Sequence, residues 1–472
     1  MKTLSRRDFL RMSALTAAGA ALAGCGPAPT PQILKETVEV PVEQTVVVEP
    51  TAVPQPTAIP PEELEATIVY MGISDESKRL IDTFSARYPK ITAEFVDDDP
   101  TRFAAMMAAG NPPDVRSGSS AQIPYMLLRD WLLDLTPYFE TSDAAKIDDL
   151  ALVNNYFRAQ DPVHIGDGKI YGMVKDWSPD RCIWINRALF DEAGVEAPED
   201  TGRLTYDEVL DKARKLVKFE GDRLMRFGFS YNTAWTDRFT IFNLMELGKS
   251  LYVDEFTRAN LVNDEDAQAS FRLFFDMAQE KLVASSLVPS PSWSGGEFTA
   301  GLTPWAQWGY WFGAFLKDSI PDQVEQGTLY MIPGPTWSGV ALNNSIGPFG
   351  FVISKATKAP DAAWRLLEWD GALEPAVDRA KTGYGVPGLK SMYQYLPQES
   401  AYDQQRYNIM MQEAELATQL IPYNPFVGEF TFNEVWSKYM AQALNGEITF
   451  DDMLQKTEEE MNILIKEGVD RL

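Results

Sequence analysis

The chain has 472 residues, 68 acidic against 42 basic, for a net charge of −26, and it carries two cysteines and one histidine. Such acidity disfavours nucleic acid and anionic lipid surfaces as partners, while two cysteines exclude a disulfide scaffold and a Cys-based metal site. Any His-based metal centre or Ser-His-Asp type of nucleophile would have to rest on His164 alone, so neither is expected, nor is a metal or cofactor.

The first residues read as a processing signal. Ser5-Arg6-Arg7-Asp8-Phe9-Leu10 precedes an apolar, Ala-rich run from Met12 to Ala23 and then Leu22-Ala23-Gly24-Cys25. The twin arginine resembles the Tat export signature, and the small residues before Cys25 resemble a lipobox, whose cysteine is acylated and becomes the mature N-terminus. The apolar run is shorter than the ~20 residues of a membrane span, so residues 1–24 are assigned as a lipoprotein signal peptide and Cys25 as the lipidation site. Losing Lys2, Arg6, Arg7, Arg11 and Asp8, a net +3, brings the charge to −29. Residues 25–65 are rich in Pro, Val and Glu, a composition that favours a disordered, semi-stiff tether. Fully extended, it would hold the folded body on the order of 100 Å from the lipid.

About 400 residues remain, enough for two lobes, with no further run apolar enough to cross a bilayer. Thr67–Met71 reads as a strand, Glu76–Tyr88 as a helix with Leu80, Ile81 and Phe84 on one face, and Ile91–Val96 as a second strand. This β-α-β order is the unit of a parallel sheet. Phe103–Ala109 reads as a short helix, closed by Gly110 and stopped by Pro112 and Pro113. Asp97, Asp98 and Asp99 read as a solvated acidic loop, and Cys182, in Arg181-Cys182-Ile183-Trp184-Ile185, as a small core residue. A glycosidase-like pairing of Glu429 with Glu434 is set aside, because two glutamates coincide easily in so acidic a chain.

The helix ending in Gly110-Asn111-Pro112-Pro113-Asp114-Val115, followed by Trp131-Leu132-Leu133-Asp134-Leu135-Thr136-Pro137, resembles the family 1 extracellular solute-binding proteins of ABC importers. That sugar-binding class is typified by maltodextrin- and glycerol-phosphate-binding proteins. Further blocks match in the same order: Gly168-Lys169-Ile170-Tyr171-Gly172, Trp184 to Phe190 with Ala193-Gly194 and Pro198, and Leu204 to Val209, where Thr205 and Glu208 form a capping box. Phe298 to Trp311, Ala363 to Leu367 and Ala443 to Glu447 complete the series.

The resemblance implies an α/β fold, a two-lobed periplasmic-binding-protein type II clamp with three inter-lobe crossings. The crossings are expected near Trp177–Arg181, Gly347–Gly350 and Tyr384–Pro387, which gives a first lobe of residues 66–180 and 348–384 and a second of 181–347 and 385–472. It also implies a ligand held between the lobes, no covalent step and hence no catalytic residue, and delivery to the permease subunits of an ABC importer by a monomer anchored through Cys25. Candidate ligand contacts are Ser119, Ser120 and Gln122 in the first lobe, Trp177 and Asp180 at the first crossing, Trp235 and Arg238 in the second lobe, and Tyr384 at the third crossing. The same clamp could serve a sugar phosphate, polyamine or peptide, and a cell-surface carbohydrate-active enzyme or adhesin is the competing class.

Four of the twelve tryptophans, Trp293, Trp305, Trp308 and Trp311, fall within Pro291–Phe315. Local signals allow a helix beginning at Thr303, whereas the resemblance implies a short strand over 303–307 and a turn through Gly309-Tyr310-Trp311 into a helix. On the second reading Trp305 belongs to the core and Trp308 and Trp311 form a sugar platform, with Trp293 unassigned.

Overall fold

The computed structural model describes residues 63–471, so the signal peptide, Cys25 and nearly all of the tether lie outside the described residues. Strand β1 (Ala66–Gly72) buries Ile68 and Tyr70 on one face and Met71 on the other, the two-residue period of a strand covered on both sides. With α1 (Ser74–Arg87) and β2 (Ile91–Asp97) it forms the expected unit, β1 and β2 running parallel from the pair Ala66 and Ile91 to the pair Gly72 and Asp97. Asp99 caps α2 (Pro100–Ala108) by accepting from the Arg102 amide at 2.7 Å. The helix closes at Gly110, where φ is 70°, and β3 (Val115–Ser119) returns parallel to β1.

The chain continues through β4 (Gly172–Trp177), β5 (Ile183–Asn186), α3 (Tyr206–Leu216), α4 (Thr236–Glu246), α5 (Ser294–Thr299) and β6 (Trp305–Gln307). After these come α6 (Phe312–Ser319), β7 (Leu329–Ile332), β8 (Phe349–Ile353), α7 (Pro360–Ala372), β9 (Val386–Pro387), α8 (Ala401–Ala414) and α9 (Thr431–Leu444). Two sheets organise the two lobes. The first has six strands in the order β9-β4-β8-β3-β1-β2, and the second has three antiparallel strands in the order β6-β5-β7. Trp305 lies on the short strand of the family-based reading and is wholly buried.

Sheet membership brackets the passages between lobes. The chain leaves the first sheet after Trp177 and enters the second at Ile183, and it leaves the second after Ile332 and re-enters the first at Phe349. The third passage falls later than Tyr384–Pro387. Val386 and Pro387 still pair with Trp177 and Asp176, and Leu389 and Met392 are buried in the first-lobe core. Only with α8, which packs on β7, has the chain joined the second lobe, so the change occurs between Tyr395 and Ala401.

One core, with Ile68, Tyr70, Phe84 and Trp364, sits between the first sheet and helices α1 and α7. The other face of that sheet joins a larger core, in which Met71, Val174 and Trp177 are continuous with Trp184, Trp305 and Phe312 of the second lobe. Cys182 is buried at the start of the second sheet, and burial pushes its thiol well above the usual range. Helix α4 is buried along its whole length, Asp237, Arg238 and Glu246 included, so its three charges need partners within the protein; Glu246 has the buried Arg181 at 2.6 Å. Among the described residues no helix is long and apolar enough to cross a membrane, and no group of His, Cys, Asp and Glu could hold a metal ion.

Candidate functional site

The carboxyl ends of β1, β2, β3 and β4 and the amino end of the antiparallel β8 converge on one edge of the first sheet, where open α/β sheets present ligand-binding loops. A cavity of about 670 Å³ lies there, walled on its other side by the second lobe. Ser119, Gln122, Trp177, Asp180, Trp235, Arg238, Trp308, Trp311 and Tyr384 all line it. Ser120 does not. It opens the turn after β3 with its side chain buried beside a separate small cavity, next to Tyr156 and Tyr423.

The first-lobe wall is polar and tightly paired. Arg116, on β3, binds Asp98 through two bonds of 3.0 and 3.2 Å and donates to Gln122 Oε1 at 2.5 Å. Gln122 in turn donates to Glu429 Oε2 at 2.9 Å, and the other Glu429 oxygen accepts from Arg238 Nη2 at 2.9 Å. The chain of bonds therefore runs from Asp98 in the first lobe to Arg238 in the second. Side-chain exposure of Arg238 and Glu429 is only 4% and 6%, which makes this a desolvated pair whose members depend on each other. Burial raises the neighbouring Asp237 carboxyl to about 6, against the opposing pull of Arg238.

One of these groups departs from the sequence reading. Asp98 is not part of a solvated loop: its side chain is 11% exposed and held by Arg116, because the end of a parallel strand at this edge faces the cleft. Glu429, which the sequence reading left without a role, is the partner of Arg238 and Gln122. The lining residues Arg116, Asp176, Phe349 and Phe430 were also missed. Position after a strand in a β-α-β unit was a usable signal for Asp98; Glu429 and Phe430 had none, since their partners are remote in sequence.

At the seam between the lobes Asp180 ties the first passage to the second. Its Oδ2 accepts from the Ser345 hydroxyl at 2.9 Å and from the Ile346 amide at 2.7 Å. Burial is the main influence and raises its pKa to about 7, although those two bonds and Arg238 oppose the shift. Ser178, two residues earlier, accepts from the Trp311 amide at 3.1 Å and so fixes the start of α6.

The second-lobe wall is aromatic. Trp308 meets Trp235 and Trp311 edge to face, each with ring centroids 5.3 Å apart. Trp308 is nearly buried and Trp311 partly exposed, so the first backs the second. At the mouth, Ile73, Phe349, Tyr384 and Phe430 are each more than a third exposed and face the same space. Tyr384 is oriented by donating its hydroxyl to Asp318 at 2.7 Å.

Residues 73–369 match the family model of the bacterial extracellular solute-binding proteins. The chain belongs to that family. No curated protein matches it by sequence. The fold is shared with solved structures at low identity. An ABC substrate-binding protein from Listeria monocytogenes in complex with cycloalternan is 18% identical with a TM-score of 0.68, covering 84% of this chain and 98% of its own. A solute-binding protein from Thermotoga lettingae bound with α-D-tagatose is 17% identical with a TM-score of 0.68, covering 85% and 100%. The ABC transporter associated binding protein from B. animalis subsp. lactis in complex with β-1,6-galactobiose is 17% identical with a TM-score of 0.66, covering 86% and 98%. Members of this extracellular family bind solutes, and the two-lobed α/β architecture of this chain is theirs.

Proposed function

We infer that the protein is a lipid-anchored extracytoplasmic receptor that captures an uncharged sugar or oligosaccharide between its lobes and delivers it to an ABC importer. The observation that carries this reading is the pairing of an aromatic wall with a polar wall whose charges are already matched. Four cationic side chains line the cavity, Arg116, Lys175, Arg238 and Arg379, against the carboxyl groups of Asp98, Asp176, Asp180 and Glu429. Arg116 is bound to Asp98, Arg238 to Glu429, Arg379 to Asp370, and Lys175 lies 3.3 Å from Asp176. A sugar phosphate or a polyamine would have to break one of these desolvated pairs. Hydroxyl groups need only add to them, while the C–H faces of a sugar ring rest on Trp311 and its neighbours.

Capture follows from geometry. A ligand touching both walls makes its full set of contacts only with the lobes together, so binding shifts the population toward that state by no more than the differential affinity. The paired lobes then present the surface an importer would recognise. The sugar complexes of the structural neighbours support a carbohydrate ligand, and the twin-arginine leader ending in Cys25 supports export and anchoring. A thermal-shift screen of sugars, sugar phosphates and polyamines on the purified body tests the reading. An uncharged sugar should raise the melting temperature without being converted; turnover of that sugar, or a response confined to charged ligands, would overturn it.

A further inference from the structure

The aromatic surface does not stop at the cavity. Trp293, which immediately precedes α5, is outside the cavity lining and 46% exposed, an unusual burden for the largest apolar side chain. Its ring nevertheless has a defined place. It lies within 14° of parallel to Trp311 at a centroid distance of 6.3 Å, and it meets Trp308 edge to face at 5.5 Å and Phe315 at 5.2 Å. The indole also folds back over Gly295, where a Cβ would stand 2.1 Å from the ring, so only glycine admits this seat. A half-exposed tryptophan wedged in one orientation, parallel to a cavity-wall tryptophan, is preorganised for a flat apolar face arriving from solvent.

We propose that Trp293 is an outer carbohydrate platform continuous with the cleft, and that the ligand is an oligosaccharide whose distal ring leaves the cavity across it. The proposal rests on the carbohydrate reading of the cleft and extends it to ligand length. The inner rings would occupy the space between Trp311 and the Arg116–Gln122–Glu429 chain, and the ring at the mouth would stack on Trp293.

Calorimetric titration of the whole folded body with size-fractionated linear oligosaccharides cut from starch, dextran, galactan and xylan, beside their monosaccharides, tests it. Affinity should rise with length in the best-bound series. Trp293→Ala should lose roughly five- to ten-fold for the longer members and less than about two-fold for the shortest binder, with Trp293→Phe recovering part of the loss. Gly295→Ala, which displaces the ring without removing it, should reproduce the length-dependent loss. Length-independent affinity in the wild type, or equal losses at every length in Trp293→Ala, overturns the outer platform and leaves the receptor reading standing. Absence of binding by every sugar, with both variants folded, overturns the two together.

Discussion

The two walls of the cleft are built on opposite principles. The first-lobe wall takes its residues from the ends of parallel strands and satisfies every charge by a bond to a neighbour, as Arg116 does with Asp98 and Gln122. The second-lobe wall takes Trp308 and Trp311 from the turn before α6 and offers ring faces backed by other rings. The polar grip thus comes mainly from the first lobe, with Arg238 and Glu429 contributed by the second, and the apolar platform from the second alone; neither wall alone is complementary to a molecule with hydroxyl rims and C–H faces. The one direct side-chain link in the chain of polar bonds between them is Gln122 to Glu429.

Breaking the second-lobe anchor of that chain should have the largest effect. Arg238→Met leaves Glu429 buried without its cation, and urea unfolding should show a loss of about 3–5 kcal/mol. Adding Glu429→Leu should recover most of it, since the pair is costly to halve and cheap to replace. Failure of the double variant to recover would mean that Gln122 and Arg116 also depend on that carboxylate.

The seam gives the next largest effect, and its sign is fixed by the raised pKa of Asp180. An unfolded aspartate ionises near pH 4, whereas burial holds the Asp180 proton in the folded protein up to about pH 7. Between those values the native state binds more protons than the unfolded one, so this group's contribution to stability falls as pH rises. Asp180→Asn still offers an acceptor to Ser345 and Ile346 but does not titrate. Its stability relative to wild type should therefore increase by about 2–3 kcal/mol from pH 5 to pH 8. A difference independent of pH would show that the two passages are joined without a titrating group.

On the platform, Trp311→Ala should weaken sugar binding roughly ten-fold or more by titration calorimetry, because it removes the ring that faces the cavity while Trp308 and Phe312 keep the turn packed. Unchanged affinity in a folded Trp311→Ala protein would move the platform elsewhere on this wall.

Local signals made the scaffold legible. The β-α-β unit at the start of the body follows from apolar periodicity, and the capping box of Thr205 with Glu208 is present in both directions at the start of α3. Ser119 and Trp177, named from the resemblance, are the last residues of β3 and β4 and line the cavity, a placement that strand direction alone decides. The site was illegible where contacts are remote. Glu429 meets Gln122 across 307 residues and Arg238 across 191, and no local pattern marks such a residue. The third passage was misplaced for a related reason. Gly383 and Gly385 announce a turn, yet whether the next two residues pair with the first sheet or enter the second depends on β4, some two hundred residues earlier.

The smallest expected effect comes from the link between the walls itself. Gln122→Ala removes the amide that accepts from Arg116 and donates to Glu429, but each of those groups keeps a second partner, Asp98 for Arg116 and Arg238 for Glu429. Both also border the cavity, where water can replace the missing bond. The cost is then about 1 kcal/mol, the net worth of one such bond rather than the penalty of a stranded charge. Since the link exists only with the walls together, its loss should shorten the life of the ligand-bound state. Stopped-flow fluorescence should show dissociation several-fold faster and association little changed. Tighter binding by Gln122→Ala would reverse the interpretation: the amide would then compete with the ligand for Glu429, and the polar wall would have to open before it could grip.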